Sequence, residues 1–173
     1  MAAVTRQAAL DTMQDGQRRL DALFSRLSDD RFVRRGTIGG AWSAKDLMGH
    51  VAFWEEIALA TIDTWRKGEA LRFDQAYVPG GTDALNAWNE QRKAKWSAAR
   101  VRRESAETHR RLIEEIEFLS AAEWTSVMPS PTTRRTRLGT RLGSVLGATK
   151  HPFGHAFAHL PDLQRYARSR ARS

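Results

Sequence analysis

Hydrophobic residues recur every three or four positions along four long stretches of this chain. This spacing predicts amphipathic helices, because an α-helix turns once every 3.6 residues. No segment alternates between apolar and polar residues with the period of two that a half-buried strand requires. We therefore predict an all-α fold.

The first predicted helix runs from about Val4 to Leu27. The second has a clear start, because Ser43 can cap its N-terminus and Asp46, three residues on, completes a capping box. It should continue to about Lys67, with Gly68 as the residue that ends it. The start of this helix is the boundary that the sequence defines best.

The third predicted helix begins near Thr82, is interrupted around Ser97 and resumes to Leu119. A last helix is predicted from about Leu142–Ser144 to Arg168. Pro152 and Pro161 should kink this last helix, since proline removes a backbone donor. Alternatively, Pro152 lies in the first turn of a new helix. The segment 128–135 contains two prolines and is not expected to be helical.

Three histidines form the most informative pattern in the chain. His155 and His159 stand four residues apart, so a helix presents both on one face, about 6 Å apart along its axis. His50 lies in the second predicted helix. If these two helices are antiparallel neighbours, the three side chains can meet at a metal site with free coordination positions. The alternative is a pair of buried histidines that bond to carbonyl groups.

Residues near these histidines are candidates for the surrounding site. Glu55 could supply a fourth ligand, an acceptor for an imidazole N–H or a general base, or be a surface carboxylate paired with lysine or arginine. Trp54 stands one turn beyond His50 and could line a substrate pocket. His151 is expected to flank the pocket, and His109, in a charged stretch, to be solvated and without a role.

Composition limits the possible chemistry. A chain of 173 residues with 41% apolar content suits one domain, which we predict over 1–168, with a basic tail at 169–173. Cysteine is absent, so disulfides and a protein thiol nucleophile are excluded, and thiol chemistry would need a thiol cofactor. No apolar run reaches the length of about 18 residues that a membrane span needs, so we expect a cytoplasmic protein with no membrane partner.

The formal net charge of +8 comes mainly from arginine, which is concentrated at 134–141 and 165–173. Such segments attract DNA and RNA in a salt-dependent manner. They are more often simply part of a solvated, arginine-rich surface. DNA is therefore a possible partner on this evidence.

The segments GGAWSAKDLMGHVAFWEE and LGATKHPFGHAFAHLPDL resemble the DinB superfamily, and within it the ClbS/DfsB branch. The resemblance implies an up-down four-helix bundle with a long loop between helices two and three. It also implies a divalent metal, Zn²⁺ or Ni²⁺, held by His50, His155 and His159, although the ClbS-like branch need not use a metal. The superfamily includes transferases and isomerases that depend on low-molecular-weight thiols, and a resistance protein that opens a DNA-alkylating cyclopropane.

The first hypothesis is thus an enzyme of detoxification or self-resistance that modifies a small electrophilic molecule, as a hydrolase or a thiol-dependent S-transferase. Glu55 would accept the proton, while Trp54 and His151 would border the substrate. The alternative is a non-catalytic protein that binds a ligand or DNA without a metal. A homodimer is compatible with either hypothesis.

Overall fold

The computed structural model describes residues 4–69, 79–129, 136–148 and 151–169. Within these ranges the regular secondary structure is helical, with isolated bridges in place of strands, so the all-α prediction is confirmed. The helices are α1 Arg6–Phe24, α2 Asp29–Val33, α3 Ala44–Arg66, α4 Gly81–Lys93, α5 Ala98–Phe118, α6 Ala121–Thr125, α7 Leu138–Val145 and α8 His155–Arg168.

The four long helices α1, α3, α5 and α8 form the predicted bundle. Helix α3 packs against α5 and α8, while α1 packs against α8 and α5, which closes the ring. Helix α3 is the most buried of the four long helices, because its apolar residues face neighbours on several sides, including α4 and α7. Its position places His50 in the interior of the protein.

The start of α3 is as predicted. The hydroxyl of Ser43 accepts from the backbone N–H of Asp46 at 3.1 Å, and the Asp46 carboxylate accepts from the backbone N–H of Ser43 at 3.0 Å. This capping box contributes about 1 kcal/mol to the helix end. At the other end Gly68 has a φ of 66°, as its role after the helix requires. His50 thus lies two turns inside a well-defined helix.

The third predicted helix is two helices, α4 and α5. The break falls where it was predicted, because Ser97 caps α5 and accepts from the backbone N–H of Arg100 at 3.2 Å. Helix α2 was not predicted. It is a single short turn capped by Ser28, and five residues are too few to show a helical repeat of apolar positions.

The prediction of one last helix from about Leu142–Ser144 to Arg168 is wrong. Helix α7 ends at Val145, and α8 begins only at His155. Pro152 lies in the connection between them, neither inside a helix nor in the first turn of one. Phe153 follows it with a φ of 61°, a left-handed conformation that no helix continues through. Pro161 lies inside α8, as predicted.

No helix within the described ranges is long and apolar enough to cross a membrane. Most of the predicted loop between helices two and three lies outside the described residues, as do 130–135 and the end of the basic tail. The division into a domain at 1–168 and a tail stays a prediction.

Candidate metal centre

The structure brings the three predicted histidines together. Nε2 of His155 lies 3.1 Å from Nε2 of His50 and 3.1 Å from Nε2 of His159. One ring nitrogen of each residue lies within 4.8 Å of those of the other two. Two helices that are far apart in the chain, α3 and α8, thus direct three imidazole nitrogens towards one point.

The connection before α8 determines where His155 stands. The backbone N–H of His155 donates to the carbonyl of Leu146 at 2.9 Å, which ties the start of α8 to the end of α7. The buried Phe153 ring stacks on Trp124 with a centroid distance of 5.8 Å. His159 follows one turn later on the same face of α8. The break in the last helix therefore places the pair of ligand candidates.

Burial keeps these imidazoles neutral. It lowers the pKa of His50 to about 2, with smaller contributions from His155, His159 and Lys93. It lowers the pKa of His155 to about 3, with a further contribution from His159, and it also lowers the pKa of His159. Neutral imidazole is the form that binds a metal ion, so no proton has to leave at neutral pH.

The donor set fits a divalent metal. Two nitrogens bound tetrahedrally to Zn²⁺ at about 2.0–2.1 Å lie about 3.3 Å apart, close to the separations seen here. Nδ1 of His50 and Nδ1 of His155 are buried without a hydrogen-bond partner among the described residues. When the hydrogen is on Nδ1, the lone pairs of the three Nε2 atoms converge and repel one another. A cation at the point where they converge attracts all three lone pairs. Three protein ligands also leave further coordination positions.

Trp54 lies beside the histidines, as predicted. Its ring centroid is 6.5 Å from that of His50 and 6.3 Å from that of His155, and both contacts are edge-to-face. The indole N–H donates to Oδ1 of Asn86 on α4 at 3.1 Å, which fixes the orientation of the ring. The side chain is 3% exposed, so Trp54 forms a buried wall of the site.

Trp42 forms a second wall that the sequence did not single out. Its ring lies 4.8 Å from that of His50, and its indole N–H donates to Glu90 at 3.3 Å. The sequence offered one signal for this role of Trp42, namely its position directly before the N-cap of α3, eight residues ahead of His50. A polar cleft of ≈ 320 Å³, including space open to solvent, lies on this side of His50. Its lining includes Lys45, Asn89 and Lys93.

Glu55 lies against α5, where its Oε1 contacts Nδ1 of His109 at 2.6 Å. The prediction that His109 is solvated is wrong, because its side chain is 13% exposed and that of Glu55 is 7% exposed. Positions 50 and 55 are five residues apart and point about 140° apart around a helix. The buried positions of α5 include Ser105 and Leu112. This spacing already indicated that His109 borders the core.

Glu56, the next residue along α3, is paired with two cations. Its carboxylate accepts from Arg92 at 2.5 Å and from Lys93 at 2.7 Å. Lys93 is buried, and burial lowers its pKa despite the bond to Glu56. Its ammonium group also donates to the carbonyl of Gly49 at 3.0 Å, one residue before His50.

His151 is exposed and lies in the connection before α8. Its backbone carbonyl accepts from the N–H of Gly154 at 3.0 Å. Within the described ranges we find no contact between its side chain and the other three histidines. The predicted pocket role of His151 stays a prediction.

Comparison with solved structures supports the fold. An uncharacterised protein from Escherichia coli UTI89 superposes with a TM-score of 0.75 at 13% identity, covering 94% of this chain and 92% of that one. The colibactin self-resistance protein ClbS, solved in complex with a dsDNA, gives 0.71 at 15% identity, covering 95% and 98%. The mycothiol-dependent maleylpyruvate isomerase gives 0.67 at 15% identity, covering 94% of this chain and 63% of the isomerase.

At these identities the similarity shows the fold alone. No curated protein sequence matches the chain. The sequence profile of the DinB superfamily matches residues 12–160, which includes all three histidines and most of the bundle. The chain therefore belongs to the DinB superfamily.

Proposed function

We propose that this protein is a metal-dependent enzyme that modifies a small electrophilic molecule in detoxification or self-resistance. The observation that carries the proposal is the convergence of His50, His155 and His159, with neighbouring Nε2 atoms 3.1 Å apart. Neutral imidazoles aimed at one point in a protein interior suit a Lewis-acid metal such as Zn²⁺ or Ni²⁺.

A divalent ion held there would supply Lewis acidity, which polarises a substrate oxygen and favours ionisation of a water or thiol nucleophile. The chain itself keeps the three imidazoles unprotonated. The Trp54 and Trp42 rings pack against His50 on two sides, and the buried Trp54 shields it from solvent on one of them. The sequence has no cysteine, so the nucleophile is water or an external low-molecular-weight thiol. We place this reaction in the cytoplasm.

Glu55 is the proposed proton acceptor. Its Oε2 atom has no hydrogen-bond partner among the described residues, although the side chain leaves α3 about 140° from that of His50, so Glu55 would not contact the metal itself. The hydrogen bond between His109 and Oε1 holds the carboxylate in place, but it also occupies one of the two oxygens that could accept a proton. Replacement by glutamine, which keeps the shape, separates the two roles: loss of turnover with an unchanged fold supports catalysis.

Two of the compared proteins support the choice of an electrophilic substrate. One is named as a self-resistance protein and the other as a mycothiol-dependent isomerase. We propose hydrolysis or thiol transfer for this chain on that basis. The opening of a DNA-alkylating cyclopropane is the narrower form of the hydrolase proposal, and a homodimer is compatible with it.

The decisive experiment is elemental analysis of tag-free protein. The wild type is expected to contain nearly stoichiometric metal that the His155→Ala/His159→Ala variant lacks. His151→Ala is the matched control, because this histidine lies just before α8 and is exposed. A wild type that stays empty after incubation with Zn²⁺ and Ni²⁺ would overturn the proposal and favour the alternative, a metal-free binding protein.

A further inference from the structure

Four side chains spaced four residues apart form a ladder of alternating rings and guanidinium groups where α4 meets α5. They are Trp88, Arg92, Trp96 and Arg100. We infer that this ladder is a binding surface for single-stranded nucleic acid, with bases stacking on Trp88 and phosphates contacting Arg100. The inference uses none of the residues of the metal centre and stands or falls separately from the proposed enzyme.

Cation–π contacts run along the whole ladder. The Arg92 guanidinium carbon lies 5.0 Å from the ring centroid of Trp88 and 5.5 Å from that of Trp96. The guanidinium carbon of Arg100 lies 3.8 Å from the Trp96 centroid. All three distances are within the limit of about 6 Å for a cation–π contact. Cation–π contacts thus link the two tryptophan rings and the two guanidinium groups along this part of the surface.

Other contacts hold the ladder in place. Arg92 donates to Glu56 at 2.5 Å and to Oδ1 of Asn89 at 3.2 Å. Lys45 donates to the carbonyls of Ala94 and Trp96, each at 3.1 Å, and so ties the α4–α5 connection to α3. A surface ordered before binding loses less conformational entropy when a ligand arrives. The ladder therefore has the rigidity that a stacking site needs.

Trp88 is the open end of the ladder. It is 52% exposed, whereas Trp54 and Trp124 are 3% and 6% exposed. On its inner side the Trp88 ring contacts Phe53 at a centroid distance of 5.8 Å. The outer part of the Trp88 side chain is therefore open to a base that stacks on it.

The cations around the ladder fit a phosphate backbone. Three exposed cations lie around the ladder. Arg100 belongs to it, Lys95 directly precedes Trp96, and Arg103 lies one turn beyond Arg100 on α5. Glu56 neutralises much of the charge of Arg92, so Arg92 acts as a stacking plane. The charge available to a phosphate therefore lies along the outer, Arg100 end of the ladder.

Single strands fit this surface better than duplexes do. Bases in a duplex are stacked on one another, so their faces are not available to a tryptophan, whereas an unpaired base can stack on any exposed aromatic ring. The combination of an exposed indole with nearby cations is typical of proteins that bind single strands without sequence preference. The surface also differs from the arginine-rich segments at 134–141 and 165–173.

The test is titration of the full chain with a fluorescent oligothymidylate at several salt concentrations. Trp88→Phe keeps a stacking ring, while Trp88→Leu keeps apolar bulk without one. We expect the leucine variant to bind about tenfold more weakly and the phenylalanine variant to bind nearly as the wild type does. Equal binding by both variants would overturn the inference.

Arg100→Ala should weaken binding and reduce the slope of log K against log salt by about 0.7. Phe118→Ala and Arg18→Ala are matched controls, because these side chains are 82% and 74% exposed at other places on the surface. An equal loss in the controls, or tighter binding to the duplex of the same sequence, would contradict the inference. The His155→Ala/His159→Ala variant should bind as the wild type does, whether or not the metal proposal holds.

Discussion

Nε2 of His50 on α3 lies 3.1 Å from Nε2 of His155, the first residue of α8, although 105 positions separate them in the chain. Burial depresses the pKa of both residues, so the contact joins two neutral rings. Neither Nδ1 atom has a hydrogen-bond partner among the described residues. The contact between the two rings therefore contributes little to the stability of the metal-free protein. A bound cation would stabilise the fold mainly at this point.

The metal-free protein should lose stability as the pH falls below about 6.5. The unfolded chain takes up protons at the ordinary histidine pKa of about 6.5, whereas folded His50 stays neutral down to about 2 and His155 down to about 3. The unfolded state thus binds more protons across this window, which lowers the free energy of unfolding by up to about 1.4 kcal/mol per pH unit for each histidine.

Urea unfolding of the EDTA-treated protein between pH 7 and pH 5 measures this slope. The His50→Gln/His155→Gln variant has no imidazole at these positions, so its stability should depend less on pH in the same window. Identical slopes for the two proteins would show that these histidines are not held neutral in the fold.

The Glu55–His109 pair should matter for stability more than the surface ion pairs do. His109→Ala leaves a carboxylate that is 7% exposed without its hydrogen-bond partner, and an unpaired buried acceptor costs about 1–3 kcal/mol. The double variant Glu55→Gln/His109→Ala should recover part of this loss, because it removes the buried charge. Free energies from urea unfolding give both values.

Glu107 and Arg110 supply the control for that comparison. They form an exposed pair within α5, with side chains about half exposed, and Glu107→Ala should change the free energy of unfolding little. If His109→Ala were as mild as Glu107→Ala, the buried contact between Glu55 and His109 would contribute no more to stability than an exposed ion pair does.

The sequence predicted those parts of the site that depend on spacing within one helix. The i, i+4 relation of His155 and His159 and the capping box at Ser43 are local, so the residues alone specify them. The meeting of His50 with His155 depends on how α3 packs against α8, and the family resemblance supplied that relation. Spacing without the resemblance favoured buried, unligated histidines over a metal site.

The parts that could not be predicted depend on contacts between distant segments. The pairing of Glu55 with His109 depends on the rotation of α5 against α3, which a charged, half-exposed helix face specifies weakly. The break before α8 depends on the left-handed Phe153, whose ring is held by Trp124. The local sequence does not predict a positive φ at an aromatic residue, because that conformation is strained. A tertiary contact compensates the strain, and the local sequence does not specify this contact.

Asn86→Leu should loosen Trp54. The substitution removes the acceptor of the indole N–H, and an unpaired buried donor costs about 1–3 kcal/mol. Because the Trp54 ring contacts His50 and His155, the metal affinity of the variant should also fall. Competition with a chromophoric chelator measures that affinity, and Trp54→Phe, which keeps a ring but needs no acceptor, should retain it. An equal loss of affinity in Trp54→Phe would mean that the indole hydrogen bond is not what positions the wall.

Gly143→Ala should affect the metal centre from outside it. A Cβ atom at this position of α7 would lie 2.9 Å from the buried Phe153 ring, a distance that requires the ring to move. Phe153 precedes His155 by two residues, so its displacement shifts the start of α8 and the Nε2 atom that His155 presents. We expect a loss of about 1–3 kcal/mol in stability from this overpacking, together with weaker metal binding. Ser144→Ala changes the exposed neighbouring residue on the same helix and should alter neither quantity. If Gly143→Ala were destabilised but bound metal with unchanged affinity, the position of His155 would not depend on the packing of Phe153 against α7.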